Sequence, residues 1–84
     1  MAQSRRSSGR LPRVSGARVV AVLERGGFRV SRVRGSHYYL RKADVALPVI
    51  VPVHGNRDLP LGTLRAVLRQ AGLSADDLSE LLRS

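Results

Sequence analysis

His37 stands in the run Arg32-Val33-Arg34-Gly35-Ser36-His37-Tyr38-Tyr39-Leu40, between a glycine turn and an aromatic stretch, with arginines just ahead of it. Imidazole is the side chain whose ordinary pKa lies near neutrality, so it takes and gives a proton at working pH. Arginine carries fixed positive charge in a planar fork that matches phosphate oxygens. A proton carrier framed by such charge is what cleavage of an RNA phosphodiester needs, because RNA brings its own nucleophile in the 2′-hydroxyl. The same run also suits an ordinary strand histidine, so it does not decide the matter alone. His54, in His54-Gly55-Asn56-Arg57-Asp58, is a second candidate proton carrier, and its plainer reading is a loop residue that hydrogen-bonds locally.

The rest of the composition narrows the chemistry. The carboxylates Glu24, Asp44, Asp58, Asp76, Asp77 and Glu80 are scattered, with half of them near the C-terminus. A two-metal nuclease needs clustered oxygen ligands, so no metal is expected. There is no cysteine, hence no disulfide framework and no thiolate metal site. Two histidines without carboxylate or thiolate help do not make a metal site either. The glycines lack the spacing and following lysine of a phosphate-cradling loop. No small-molecule cofactor is expected.

Fifteen basic residues face six acidic ones, for a net charge of +9, and every basic residue except Lys42 is arginine. Nucleic acid is the partner such a balance fits best; an acidic protein and an anionic membrane are the alternatives. No apolar run is long enough to span a bilayer, and no apolar stretch follows the N-terminal arginines as in a secretory signal. A cytoplasmic location without membrane attachment is expected.

Eighty-four residues make one small domain. Residues 1–10 are polar, basic and aperiodic, which predicts a disordered arm, and residues 11–84 form the domain. Ser15 is a good N-cap, Val14 and Val19 are placed for a hydrophobic staple, and Val19, Val22 and Leu23 keep helical spacing up to Gly26-Gly27. This predicts a helix over 16–25. Phe28 to Val33 alternates as a half-buried strand, Arg34-Gly35-Ser36 is a turn, and His37 to Arg41 is a second strand. Lys42-Ala43-Asp44 connects to a third strand over 45–53, where Pro48 and Pro52 predict a sheet edge. Pro60 suits an early helical position, and Leu64, Val67, Leu68 and Ala71 form the stripe of a second helix stopped by Gly72. Ser74 and Asp77 resemble a capping box for a short extra C-terminal helix. Arg18, Arg25, Arg65 and Arg69 read as a solvated helical face. The fold class is α+β: α-β-β-β-α in two layers, a three-stranded antiparallel sheet with helices on one face.

The other sheet face is then open. With Tyr38 and Leu40 inward, the pleat puts His37, Tyr39 and Arg41 outward. With Val49, Val51 and Val53 inward, Ile50, Pro52 and His54 share that face. A one-residue slip would reverse both.

Read together, these residues resemble the HicA family, the small mRNA-cleaving toxins of type II toxin–antitoxin pairs. Three blocks carry the resemblance over about residues 11–83: Leu11-Pro12-Arg13-Val14-Ser15-Gly16 with the later Gly27-Phe28; Arg34-Gly35-Ser36-His37; and Val51-Pro52-Val53-His54-Gly55 followed by Leu59 to Arg65 and Gln70-Ala71-Gly72-Leu73. The resemblance implies a fold like the double-stranded RNA-binding domain. It also implies a ribonuclease whose essential histidine is that of the Gly-Ser-His motif, here His37, and a HicB-type antitoxin that covers the active face. Many members carry a second histidine where this chain has Tyr38, and the segment Asp44-Val45-Ala46-Leu47-Pro48 differs in length from a typical member.

The resulting expectation is a metal-independent endoribonuclease that cleaves mRNA. His37 is its catalytic residue, as general base or general acid. Arg32, Arg34, Gly35, Ser36, Tyr39, Arg41, Lys42 and His54 are its candidate RNA contacts: the arginines neutralise phosphate, Ser36 donates to a non-bridging oxygen, Gly35 serves the turn, and Tyr39 is placed for base stacking. A non-catalytic RNA-binding module of the same fold is the alternative, and a purely structural or partner-binding domain the third reading.

Overall fold

A computed structural model describes residues 11–84; the basic arm expected over residues 1–10 lies outside the described residues. The chain runs α1 (Gly16–Arg25), β1 (Arg29–Arg34), β2 (His37–Lys42), β3 (Val45–Pro52), α2 (Leu61–Ala71) and α3 (Ala75–Arg83). The strands form one antiparallel sheet in the order β1-β2-β3. This is the α+β, α-β-β-β-α arrangement expected, laid out like a double-stranded RNA-binding domain.

Each helix starts and stops for a local reason. The valines of α1 favour strands when taken singly. The Ser15 hydroxyl nonetheless caps the helix by accepting from Arg18 N–H at 3.1 Å, and the 3.6-residue period buries Val19, Val22 and Leu23 completely. Each such burial is worth about 1.5–3 kcal/mol, an upper bound because unfolded chains already bury some surface. Pro60 is the N-cap of α2 rather than a residue of its first turn, its carbonyl accepting from Leu64 N–H at 2.9 Å. The buried stripe of α2 is Leu64, Val67, Leu68 and Ala71, and Gly72 ends the helix in the left-handed region. A reciprocal capping box opens α3: Asp77 N–H donates to the Ser74 hydroxyl at 3.0 Å, and Ser74 N–H donates to the Asp77 carboxylate at 2.8 Å. Leu78 of α3 is fully buried. Arg25 is not simply solvated as expected, because its guanidinium donates to the Leu81 carbonyl at 2.9 Å and ties α1 to the end of α3.

The core lies between the helices and one face of the sheet, where Phe28, Leu40, Val49 and Val51 meet Val19, Val22, Leu23, Leu64 and Val67. The strand with the prolines, β3, is at the sheet edge. Gln70 of α2 reaches it and accepts from Ile50 N–H at 3.3 Å, which pairs a donor that an edge strand leaves open.

At Gly16 the first turn of α1 presses on the end of β3. A β-carbon there would overlap the Pro52 carbonyl oxygen and stand 3.2 Å from Val53 Cα. Both neighbours are backbone and cannot swing away. Intrinsic helix propensity favours alanine over glycine by up to ~1 kcal/mol, whereas overpacking of this kind costs ~1–3 kcal/mol. Gly16→Ala is therefore expected to lower the urea midpoint. A raised midpoint would show that propensity decides and that the contact is loose.

Candidate functional site

Register determines which side chains share the open face. Across β1 and β2, Val30 pairs with Leu40, but the next pair is Arg32 with Tyr39, followed by Val33 with Tyr38 and Arg34 with His37. Ser31 is the extra residue, a bulge. Its hydroxyl donates to the Tyr39 carbonyl at 3.1 Å and fills the break in the ladder. The consequence is large for so small an irregularity. Strict alternation from Val30 would send Arg32 and Arg34 toward the helices. The bulge resets the count, so Arg32 and Arg34 share the face of Tyr39 and His37.

Across β2 and β3, His37 pairs with Pro52, Tyr38 with Val51, Tyr39 with Ile50 and Leu40 with Val49. Leu40, Val49 and Val51 are buried, and Tyr38 packs against the core. His37, Tyr39, Arg41, Ile50 and Pro52 therefore point away from the helices, as the pleat predicts. Arg29 pairs with Arg41 and joins them. Arg29, Arg32, Arg34, His37 and Arg41 are exposed, and Tyr39 is half-buried. Among the described residues the ion pairs are Arg13 with Asp58 and Arg83 with Glu80. The arginines of the open face thus keep their charge for an external partner.

Arg34 lies directly across the ladder from His37, and cross-strand neighbours have β-carbons about 4.5–5.5 Å apart. The turn that carries Gly35 (φ +57°) and Ser36 is pinned to the end of β3, where Val53 N–H donates to the Ser36 carbonyl at 2.7 Å. His37 is thus held between Arg34 on one side and Pro52 on the other. The Arg32 guanidinium sits 5.1 Å from the centroid of the Tyr39 ring, a cation–π contact worth about 0.5–1 kcal/mol at an exposed site. Ser31, Arg32, Tyr39, Arg41 and Pro48 line an open groove there.

Two expected contacts lie apart from this cluster. His54 falls beyond β3, which ends at Pro52. It lines a groove at the start of α2 with Arg57, Asp58 and Thr63, and this groove reaches the His37 cluster only through Pro52, the cross-strand partner of His37. Lys42 extends over the Phe28 ring at 5.6 Å from its centroid, on the inward parity of β2. It meets the open face only at the sheet end, where it shares a groove with Arg29 and Arg41. Arg29 and Ser31 are absent from the residues expected from sequence. Arg29 was findable by extending the Arg41 face across the strand pair; the bulge at Ser31 carries no such signal.

Chemically, the face offers one imidazole, a set of guanidinium forks and an aromatic ring on a rigid sheet. Among the described residues no three His, Asp or Glu side chains come together as a metal site would need, and no helix is long and apolar enough to cross a membrane. A family model described as the HicA toxin of bacterial toxin–antitoxin matches residues 16–73, which is α1 through the end of α2 and includes the whole sheet. No curated protein matches the chain.

Proposed function

The chain belongs to the HicA toxin family, and on that footing we propose that it is a metal-independent endoribonuclease that cleaves mRNA, halts translation and is neutralised by a HicB-type antitoxin. The observation that carries the reading is the placement of His37 beside Arg34 on an open sheet face that also carries Arg29, Arg32 and Arg41.

The reaction follows from the groups present. His37 takes the proton of the ribose 2′-hydroxyl. The 2′-oxygen forms a bond to phosphorus, and the bond from phosphorus to the 5′-oxygen breaks. The leaving oxygen takes up a proton from water or from a protonated imidazole. Arg34, with Arg32 nearby, neutralises the charge that builds on the non-bridging oxygens, the kind of preorganised stabilisation that contributes most in many enzymes. Ser36 supplies a hydroxyl donor to the same oxygens. The products are a 2′,3′-cyclic phosphate and a 5′-hydroxyl.

An antitoxin that closes such a face must be acidic or carry an acidic segment, because a partner that buries unpaired guanidinium groups without countercharge would lose affinity. The direct test is cleavage of end-labelled RNA in EDTA with the ends of the products identified. Cyclic phosphate and 5′-hydroxyl ends are expected. Strict Mg²⁺ dependence or 5′-phosphate ends would overturn the scheme, and tight binding with no cleavage would make the domain an RNA-binding module.

A further inference from the structure

The open face continues beyond the catalytic pair, and its shape says how RNA lies on it. The groove lined by Ser31, Arg32, Tyr39, Arg41 and Pro48 abuts a second, lined by Gly27, Arg29, Arg41, Lys42 and Val45 among others. Arg41 belongs to both, so the two adjoin along β2 from Tyr39 to the turn after Lys42, and His37 lies two residues before Tyr39 on the same face. The second groove gathers three cations. Asp44, in the adjoining turn, does not line it, and none of the three cations has a carboxylate partner among the described residues.

We propose that a single-stranded RNA segment runs along β2, with the scissile phosphate at His37, a base against Tyr39, and a downstream or upstream phosphate clamped by Arg29, Arg41 and Lys42. This rests on the reading of the domain as an RNA-cleaving enzyme. The spacing supports it. From His37 to Arg41 a strand advances about 13 Å at ~3.3 Å per residue, the span of about two nucleotides of an extended chain. Between the two ends stands the Tyr39 ring, which has a π-surface that any base can use. A duplex is a poorer occupant, because its bases are turned inward and it would present only backbone to Tyr39. The Lys42 ammonium lies 5.6 Å from the centroid of the Phe28 ring, which fixes its charge at this end of the strand.

The test separates this track from catalysis. The probes are 2′-O-methyl oligonucleotides of two to eight residues, which lack the nucleophile, so affinity is read without cleavage. For the wild-type protein, affinity is expected to step up between two and four nucleotides, about tenfold, and to rise only slowly beyond that. Arg29→Gln is expected to flatten the step, and to reduce the salt slope for the octanucleotide by about 0.7, the value for one lost single-strand phosphate contact. Arg29 is exposed, and circular dichroism of the variant checks its fold. A smooth rise with length and no step, or a step that Arg29→Gln leaves intact, would overturn the track. Tighter binding of a duplex than of a single strand of equal length would do the same. If the step is present and cleavage is never seen, the track stands and the enzymatic reading fails.

Discussion

Replacing His37 with alanine is expected to lower the rate of RNA cleavage by ~10²–10⁴-fold while leaving the domain folded and still able to bind RNA, the loss being that typical of a removed general acid or base. Three features combine to give that outcome. The side chain is exposed and faces away from the core, so its removal opens no cavity, and surface substitutions of this kind usually stay within about ±0.5 kcal/mol. The charge that attracts RNA resides on Arg29, Arg32, Arg34 and Arg41, none of which the substitution touches, so affinity for a non-cleavable strand is largely kept. What disappears is the one group beside Arg34 that can move a proton.

The informative comparison is His37→Gln, which keeps polar bulk but cannot take a proton from the 2′-hydroxyl. It should be as inactive as the alanine variant. If glutamine restored the rate, the histidine would be positioning the phosphate and not transferring a proton. His54→Ala is expected to cost less, since the His54 ring opens into the groove at the start of α2 with Arg57 and Asp58. Single-turnover cleavage measured at saturating protein separates the chemical step from binding. A His37→Ala rate within a few-fold of wild type would return His37 to the status of a strand residue and shift attention to His54.

How legible was this arrangement in the sequence? The helices were, because their signals are local. Ser15 and the Gly26-Gly27 pair bound α1, Gly72 stops α2, and Ser74 with Asp77 opens α3. The open face was legible as far as β2 and β3 were concerned, since alternation from Leu40 and Val49 needs no information beyond the strand itself. What was hidden was the reset at Ser31. Nothing in Arg29-Val30-Ser31-Arg32-Val33-Arg34 says that one residue is surplus; only the pairing with β2 shows it. Counting by twos from Val30 would have turned Arg32 and Arg34 toward the helices, where unpaired guanidinium groups are costly. The bulge is the solution that keeps Val30 and Val33 on one face and both arginines on the other. His54 and Lys42 were hidden for related reasons. Alternation from Val53 extends the strand to His54, but β3 ends at Pro52, and after one more bond from Val53 N–H to the Ser36 carbonyl the chain turns away. Lys42 lies at the strand end, where its ammonium sits over the Phe28 ring.

Leu40→Ala is expected to do what His37→Ala does not, although Leu40 sits only three residues further along the same strand. Leu40 is completely buried in the central strand, paired with Val30 on one side and Val49 on the other. Truncating a buried leucine costs ~2–5 kcal/mol, depending on how far the surroundings collapse. A domain of this length has a stability of roughly 4–13 kcal/mol at ~0.05–0.15 kcal/mol per residue. The substitution thus removes a large share of the total and can leave a measurable unfolded fraction at 25 °C. The urea midpoint should fall sharply, and cleavage should fall only in proportion to the folded fraction, because His37, Tyr39 and Arg41 on the opposite face are chemically unchanged. Leu47→Ala is the control: at 75% exposure in β3 it should move the midpoint by no more than about 0.5 kcal/mol equivalent. An unchanged midpoint for Leu40→Ala would mean that β2 does not anchor the core, and the assignment of faces on which the whole site depends would go with it. The contrast that matters is between neighbours: one residue whose loss stops the chemistry in an intact domain, and another whose loss weakens the domain while the surviving folded molecules still cut.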